Sequence, residues 1–303
     1  MVAVAAAIVS HAHVARSEDD LADAGAAMAD ARDSLGSRAG ATAGNGTTTR
    51  TAAGGGGAGA CSAGMVDVEG DYCPELPDQV CLEFASKAQA ESTQHGKGHG
   101  RCAKFAPSAP CATATVRKHF CMDKFEYPNQ PGENPLVMKN WYEARLLCNA
   151  QGKRLCSDSE WTLACEGPER TAYPYGLVRD SNACVIDKPA MNVREADLRD
   201  WNKRDAEAKR LWQGEPSGSR AGCKSAFGVH DLTGNVDEWV VNEKGKPHNS
   251  GLKGGYWSFV RGRCRPLTDG HAEDFRYYQI GFRCCTDAAS APPSTPVTST
   301  ASR

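Results

Sequence analysis

The sequence predicts an α+β fold, rich in loops and stapled by disulfides, and three observations carry that prediction. Residues 140–151 and 157–165 each open on a capping box, Asn140 with Glu143 and Ser157 with Glu160, so each starts a short helix. HFCMDKFEY, residues 119–127, sets Phe120, Met122, Phe125 and Tyr127 among charged residues and reads as a half-buried strand, closed by the turn residues Pro128, Asn129 and Pro131. Fourteen cysteines without a CxxC pair point to disulfides rather than zinc, and so to an oxidising compartment, secreted or periplasmic.

Composition bounds what surrounds that fold. With 31 Gly, 16 Pro and 7% aromatic residues in 303, the chain holds one core of moderate size and extended segments beside it. A formal charge of -2, with acids and bases interspersed, gives no reason to expect nucleic acid or an anionic membrane as partner.

In chain order, residues 1–60 read as an export signal followed by an Ala/Gly-rich linker. The apolar run Val2–Val9 has the length of a signal core, and Ala12 and Ala15 suit a peptidase, although no Lys or Arg precedes the run. It is too short to span a bilayer. Ser17–Leu35 is an alanine-rich charged stretch with little to dock it, and Ala41–Ala60 is a flexible linker by composition. Residues 61–117 form a cysteine-rich segment with few apolar residues, which bridges must hold. His95 and His99 fall there, in a glycine-spaced run that fits a surface loop better than a metal site.

Residues 118–286 are the folded domain. The first helix has Trp141, Ala144, Leu147 and Cys148 along one side and ends at Gly152; the second carries Trp161, Leu163, Ala164 and Cys165. Lys153–Leu155 is the turn between them. A charged, exposed helical run is expected from Arg194 to Leu211, and residues 287–303 form a disordered Pro/Ser/Thr-rich tail.

No helix or strand period runs through GVHDLTGNVDEW, residues 228–239, so it is expected to be an ordered loop held by its side chains and an ion. Asp231 and Glu238 are hard oxygen ligands which, with intervening carbonyls, suit calcium; the plainer reading is a turn Asp and a solvated Glu.

That stretch, with LKGGYW after it, GKRLCSDSEW upstream and QIGFRC near the end, resembles the sulfatase-modifying-factor domain of the formylglycine-generating enzymes and their bacterial relatives. The four blocks stand in the family's order. The resemblance implies a loop-rich α+β fold related to C-type lectins, in a divergent exported member of bacterial type. It implies a bridge between Cys148 and Cys284, and a structural calcium held by Asp231, Glu238 and the carbonyls of Gly234 and Val236. The family's second bridge starts at the position of Cys165, but its partner position is Asp269 here. Cys184 with Cys223, and Cys264 or Cys285 with Cys156 or Cys165, are the pairings left open.

Catalysis does not carry over residue by residue. The two copper-binding cysteines of the formylglycine-generating enzymes fall at Phe259 and Cys264, their serine at Tyr256 and their active-site tryptophan at Asp237. A soft cuprous ion wants two thiolates, so copper is not expected, unless Cys285 or Cys156 supplies the second sulfur. No GxSxG, P-loop, Rossmann or HExxH motif occurs. The leading expectation is an exported module that binds a peptide or glycan in a groove formed by Trp257, Phe259, Arg261 and Arg265, with Arg263 nearby. The second is an oxidoreductase that makes formylglycine or does other oxidative chemistry at Cys264, whose flanking arginines would activate a free thiol. A bridged Cys264 favours the first and a free one the second.

Overall fold

Two capped helices and a set of short strands, tied by seven disulfides, make up the computed structural model, which describes residues 60–85, 101–260 and 262–289. All belong to one unit, Gly57–Arg303. The leader and most of the linker and tail, His95, His99 and Arg261 lie outside the described residues.

The principal sheet has the order β1–β4–β9–β5, with β1 Met65–Tyr72, β4 Val116–Asp123, β9 Cys284–Asp287 and β5 Arg154–Leu155. All its pairs are antiparallel, and β1 runs against β4 from Met65↔Asp123 to Tyr72↔Val116. A boundary drawn between residues 117 and 118 therefore cuts through this strand pair. In β1, Val68 is buried while Asp67 and Glu69 face solvent and pair across the strands with His119 and Arg117, each at 2.8 Å. Such alternation is what a strand with one buried face requires. A two-stranded sheet, β2 Cys81–Phe84 with β3 Cys102–Phe105, completes the cysteine-rich segment.

Helix α1, Trp141–Ala150, and helix α2, Asp158–Glu166, begin where the capping boxes place them; the Asn140 and Ser157 side chains accept from the N–H groups of Glu143 and Glu160. Each such cap is worth about 1 kcal/mol. The link between the helices is not only a turn. Arg154 and Leu155 add β5 to the edge of β9, and Cys156 beyond them is bridged to Cys285 on β9. Nor is the run from Arg194 to Leu211 one exposed helix. It forms α3 Glu195–Arg199 and α4 Arg204–Leu211, which direct Leu198, Ala208 and Leu211 into one apolar cluster with Val236 and Trp257.

The second sheet, β7–β6–β8, carries the site. Strand β6, Asp237–Val241, is antiparallel to β7, Ser250–Lys253, and parallel to β8, Ile280–Phe282. The stretch expected to be loop throughout thus ends in the central strand. Its residues show why: Trp239 and Val240 are buried on opposite sides, Trp239 against α1 with Ile280 and Phe282, Val240 against α2 with Trp161 and Phe120. Continuous apolar character on both faces is the mark of a strand covered twice, which alternation does not reveal.

Every cysteine is paired: Cys61–Cys121, Cys73–Cys111, Cys81–Cys102, Cys148–Cys284, Cys156–Cys285, Cys165–Cys264 and Cys184–Cys223. Among the described residues no helix is long and apolar enough to cross a membrane.

Candidate functional site

Where β7 ends, Gly254 and Gly255 turn the chain with φ of +89° and +72°, in the region where a Cβ is strained. Sterics demand glycine here as well. A Cβ on Gly255 would come within 2.8 Å of Gly262 Cα, and one on Gly262 within 2.6 Å of the Gly254 carbonyl, so the two backbones touch directly. The segment after them returns to pair Thr268 with Leu252, through N–H···O bonds of 3.0 and 2.8 Å. A cavity of about 350 Å³ opens between these strands and the start of β6, lined by Asp237, Leu252, Gly254, Gly255, Val260, Gly262, Arg263, Pro266 and Thr268.

Two charged groups line the cavity. The Asp237 carboxylate accepts from the Gly255 N–H at 2.9 Å, which fixes it against the glycine wall. Arg263 reaches into the cysteine-rich segment: Nη1 donates to Gln79 Oε1 at 3.2 Å, and the guanidinium carbon lies 5.1 Å from the Phe105 ring centre. Arg101 stacks on Phe259 at 4.4 Å in the same region. Residues of the cysteine-rich segment thus support the cavity's rim, a role its own sequence does not reveal.

The expected groove is only partly there. Phe259 is half exposed, at 50%. Trp257 is 1% exposed, packed edge-on against Trp212 at 4.8 Å and Tyr256 at 5.7 Å, so its indole belongs to the core. Arg265 is an internal counter-charge rather than a groove residue. Its Nη2 and Nε meet both oxygens of Glu166 at 2.5 and 2.6 Å, and Nη1 donates to the Cys73 carbonyl at 2.8 Å. A buried carboxylate without such a partner would be costly, which is why the arginine is drawn inward. Arg261 lies outside the described residues.

Cys264 is fully buried, its sulfur bonded to Cys165 and its N–H donating to the Ala172 carbonyl at 2.9 Å. A bridged sulfur is neither nucleophile nor thiolate ligand, so Cys264 cannot serve as the reactive thiol considered from the sequence. The bridge Cys156–Cys285 removes the other two sulfurs considered for a metal.

The proposed calcium ligands lead to a different arrangement. Glu238, 1% exposed, has one oxygen on Arg283 Nη2 at 2.5 Å and the other on Arg283 Nε at 2.7 Å and Trp161 Nε1 at 2.8 Å. Asp231 accepts from the Gly218 N–H at 2.7 Å, and burial pushes its carboxyl up to about 6. Glu126 stands near both. Its own burial, then the charges of Asp231 and Glu238, raise its pKa well above the usual range. Burial disfavours charge on Arg283, but Glu238 more than offsets this and raises its pKa. Among the described residues no three His, Cys, Asp or Glu side chains converge as a metal set. The side chains therefore fit an internal guanidinium better than a calcium ion, because Glu238 would have to leave three donors to bind the metal.

The geometry defines a class first: a disulfide-stapled α+β domain with a glycine-walled cavity at the end of a three-stranded sheet. A model of the sulfatase-modifying factor enzyme 1-like domain matches residues 90–288, and the chain belongs to that family. Two similar proteins are both named inactive C-alpha-formylglycine-generating enzyme 2. The one from Bos taurus is 27% identical over 183 residues, covering 53% of this chain and 52% of the relative. The one from Mus musculus is 25% identical over 179 residues, covering 52% of this chain and 50% of the relative. The chain spans about half the length of these curated relatives. Among solved structures, that of CarF superimposes with a TM-score of 0.46 at 15% identity, over 74% of this chain and 98% of CarF.

Proposed function

We propose that this chain is an exported, non-catalytic member of its family that binds an extended peptide segment in the cavity between Asp237 and Thr268. The observation that carries the reading is the Cys165–Cys264 bridge. It occupies the sulfur at one of the family's two copper-ligand positions, while Phe259 stands at the other. The relatives' names, which call them inactive, support the same reading.

What remains of the site suits a peptide. Walls of Gly254, Gly255 and Gly262 let another backbone approach closely; Asp237, Arg263 and Thr268 offer both acceptors and donors; Leu252, Val260 and Pro266 supply apolar surface. A pocket of this size, in which apolar surface and a few placed polar groups stand side by side, suits a peptide backbone with mixed side chains. The lectin-related architecture and the secreted or periplasmic location belong to the same reading, the location supported by seven disulfides.

The test offers the copper-treated protein a fluorescent sulfatase-type peptide containing Cys-x-Pro-x-Arg, and follows anisotropy and peptide mass together. Binding without a change of mass, weakened by Thr268→Trp, is the expected result. Conversion of the thiol to an aldehyde above the copper-only rate would establish the oxidoreductase instead, and binding to glycans but not peptides would overturn the peptide reading.

A further inference from the structure

We infer that Arg283 does the work of a bound calcium ion in this chain, so that the loop from Gly228 to Val236 is held by a built-in cation and the protein is independent of calcium. The loop needs positive charge beneath it. Glu126, Asp231 and Glu238 are 0%, 3% and 1% exposed, and three carboxylates buried in one cluster cannot all be carried without a compensating positive group.

Arg283 supplies that compensation from β8's C-terminal flank and is itself 1% exposed. All three of its nitrogens are used. Nη2 and Nε grip the two oxygens of Glu238, Nη2 also reaches the His230 carbonyl at 3.0 Å, and Nη1 reaches the Asp123 carbonyl at 3.3 Å. The guanidinium thus joins the loop at His230, the strand at Glu238 and the end of β4 at Asp123. Gathering a carboxylate and backbone carbonyls from separate segments is what a structural calcium does with its oxygen ligands. Because the guanidinium is planar and forked it meets the carboxylate through two parallel bonds, a geometry that leaves Glu238 no oxygen free of a donor.

The remaining carboxylates are held without a second cation. Ser217 Oγ and Asn235 Nδ2 both donate to Glu126 Oε2 at 2.8 Å, while Oε1 has no protein partner. Asp231 is held by the Gly218 N–H. The inference concerns the fold and stands apart from the peptide-binding reading.

The experiment compares thermal melting of the full chain in calcium and in EDTA, with calcium uptake followed by titration calorimetry. The wild type is expected to melt at the same temperature in both and to take up no stoichiometric calcium. A site filled at a hundred times its dissociation constant would raise the melting temperature by about 5–10 °C. A rise of that size, or uptake of one calcium per chain, would overturn the inference. Arg283→Met provides the converse: it strips the cluster of its cation, so its melting temperature should fall and calcium should restore part of the loss. If that variant does not fold, the wild-type titration still decides the matter.

Discussion

Replacing Cys165 and Cys264 together by alanine tests the bridge on which the functional reading rests. Taken alone, a crosslink with a sequence separation of 99 would restrict the unfolded chain by about 4.7 kcal/mol. It is not alone, because Cys156–Cys285 encloses it. Cys165 lies nine positions after Cys156 and Cys285 twenty-one after Cys264, so with the outer bridge intact the inner one closes a ring of about thirty residues. That lowers the expected loss to about 3.5 kcal/mol. Both sulfurs are 0% exposed, and alanine leaves a small apolar void rather than a buried polar group, which adds about 1 kcal/mol. Urea unfolding under non-reducing conditions should therefore show a loss of about 4.5 kcal/mol, and a larger m-value because the denatured chain is less confined. A loss below about 1 kcal/mol with an unchanged m-value would mean that the bridge is absent in solution, and would return Cys264 to consideration as a free thiol.

Two further outcomes follow from contacts already described, and a third from a half-buried carboxyl at the start of α2. Arg265→Ala strands Glu166, whose side chain is 1% exposed, and should cost about 3–5 kcal/mol in denaturant titration; a variant of wild-type stability that has lost peptide affinity would make Arg265 a ligand contact after all. Gly255→Ala forces a Cβ at φ +72° against Gly262, so it should destabilise by about 2 kcal/mol or more and reduce peptide binding. Burial, then a hydrogen bond to Glu243, pushes Asp158 from 3.8 up to about 7. Its native form holds the proton more tightly than the unfolded chain, so its contribution to stability is full below pH 3.8 and falls as pH rises through 7. Asp158→Asn should flatten that part of the melting profile, and an unchanged slope would show that Asp158 titrates normally.

How far these features could be read in advance depended on whether the cause was local. The helices at Trp141 and Asp158 are announced by caps, a contact between residues three apart, and both stand where the caps put them. Strand β1 was legible too, in the alternation Val66, Asp67, Val68, Glu69, but its cysteine-rich surroundings masked it. The inward turn of Arg265 and the burial of Trp257 depend on Glu166 and Trp212, which are remote in sequence, so no local pattern distinguishes them from groove residues. The double glycine at 254–255, followed by Gly262, was the available signal for the cavity, since close backbone approach is what glycines in such a turn provide.

The order in which sulfurs appear along the chain has a consequence for biosynthesis. Cys148, Cys156 and Cys165 take partners 136, 129 and 99 residues further on, whereas Cys81, Cys73 and Cys184 find theirs within 21, 38 and 39. During vectorial synthesis, the native partners of three thiols in the helical region emerge long after those of the local bridges, and the last strand to emerge completes two of the three. Until then β9 is missing between β4 and β5, and the principal sheet has no centre. Any early pairing among Cys148, Cys156 and Cys165 would therefore have to be undone by thiol–disulfide exchange before their native partners could close the fold.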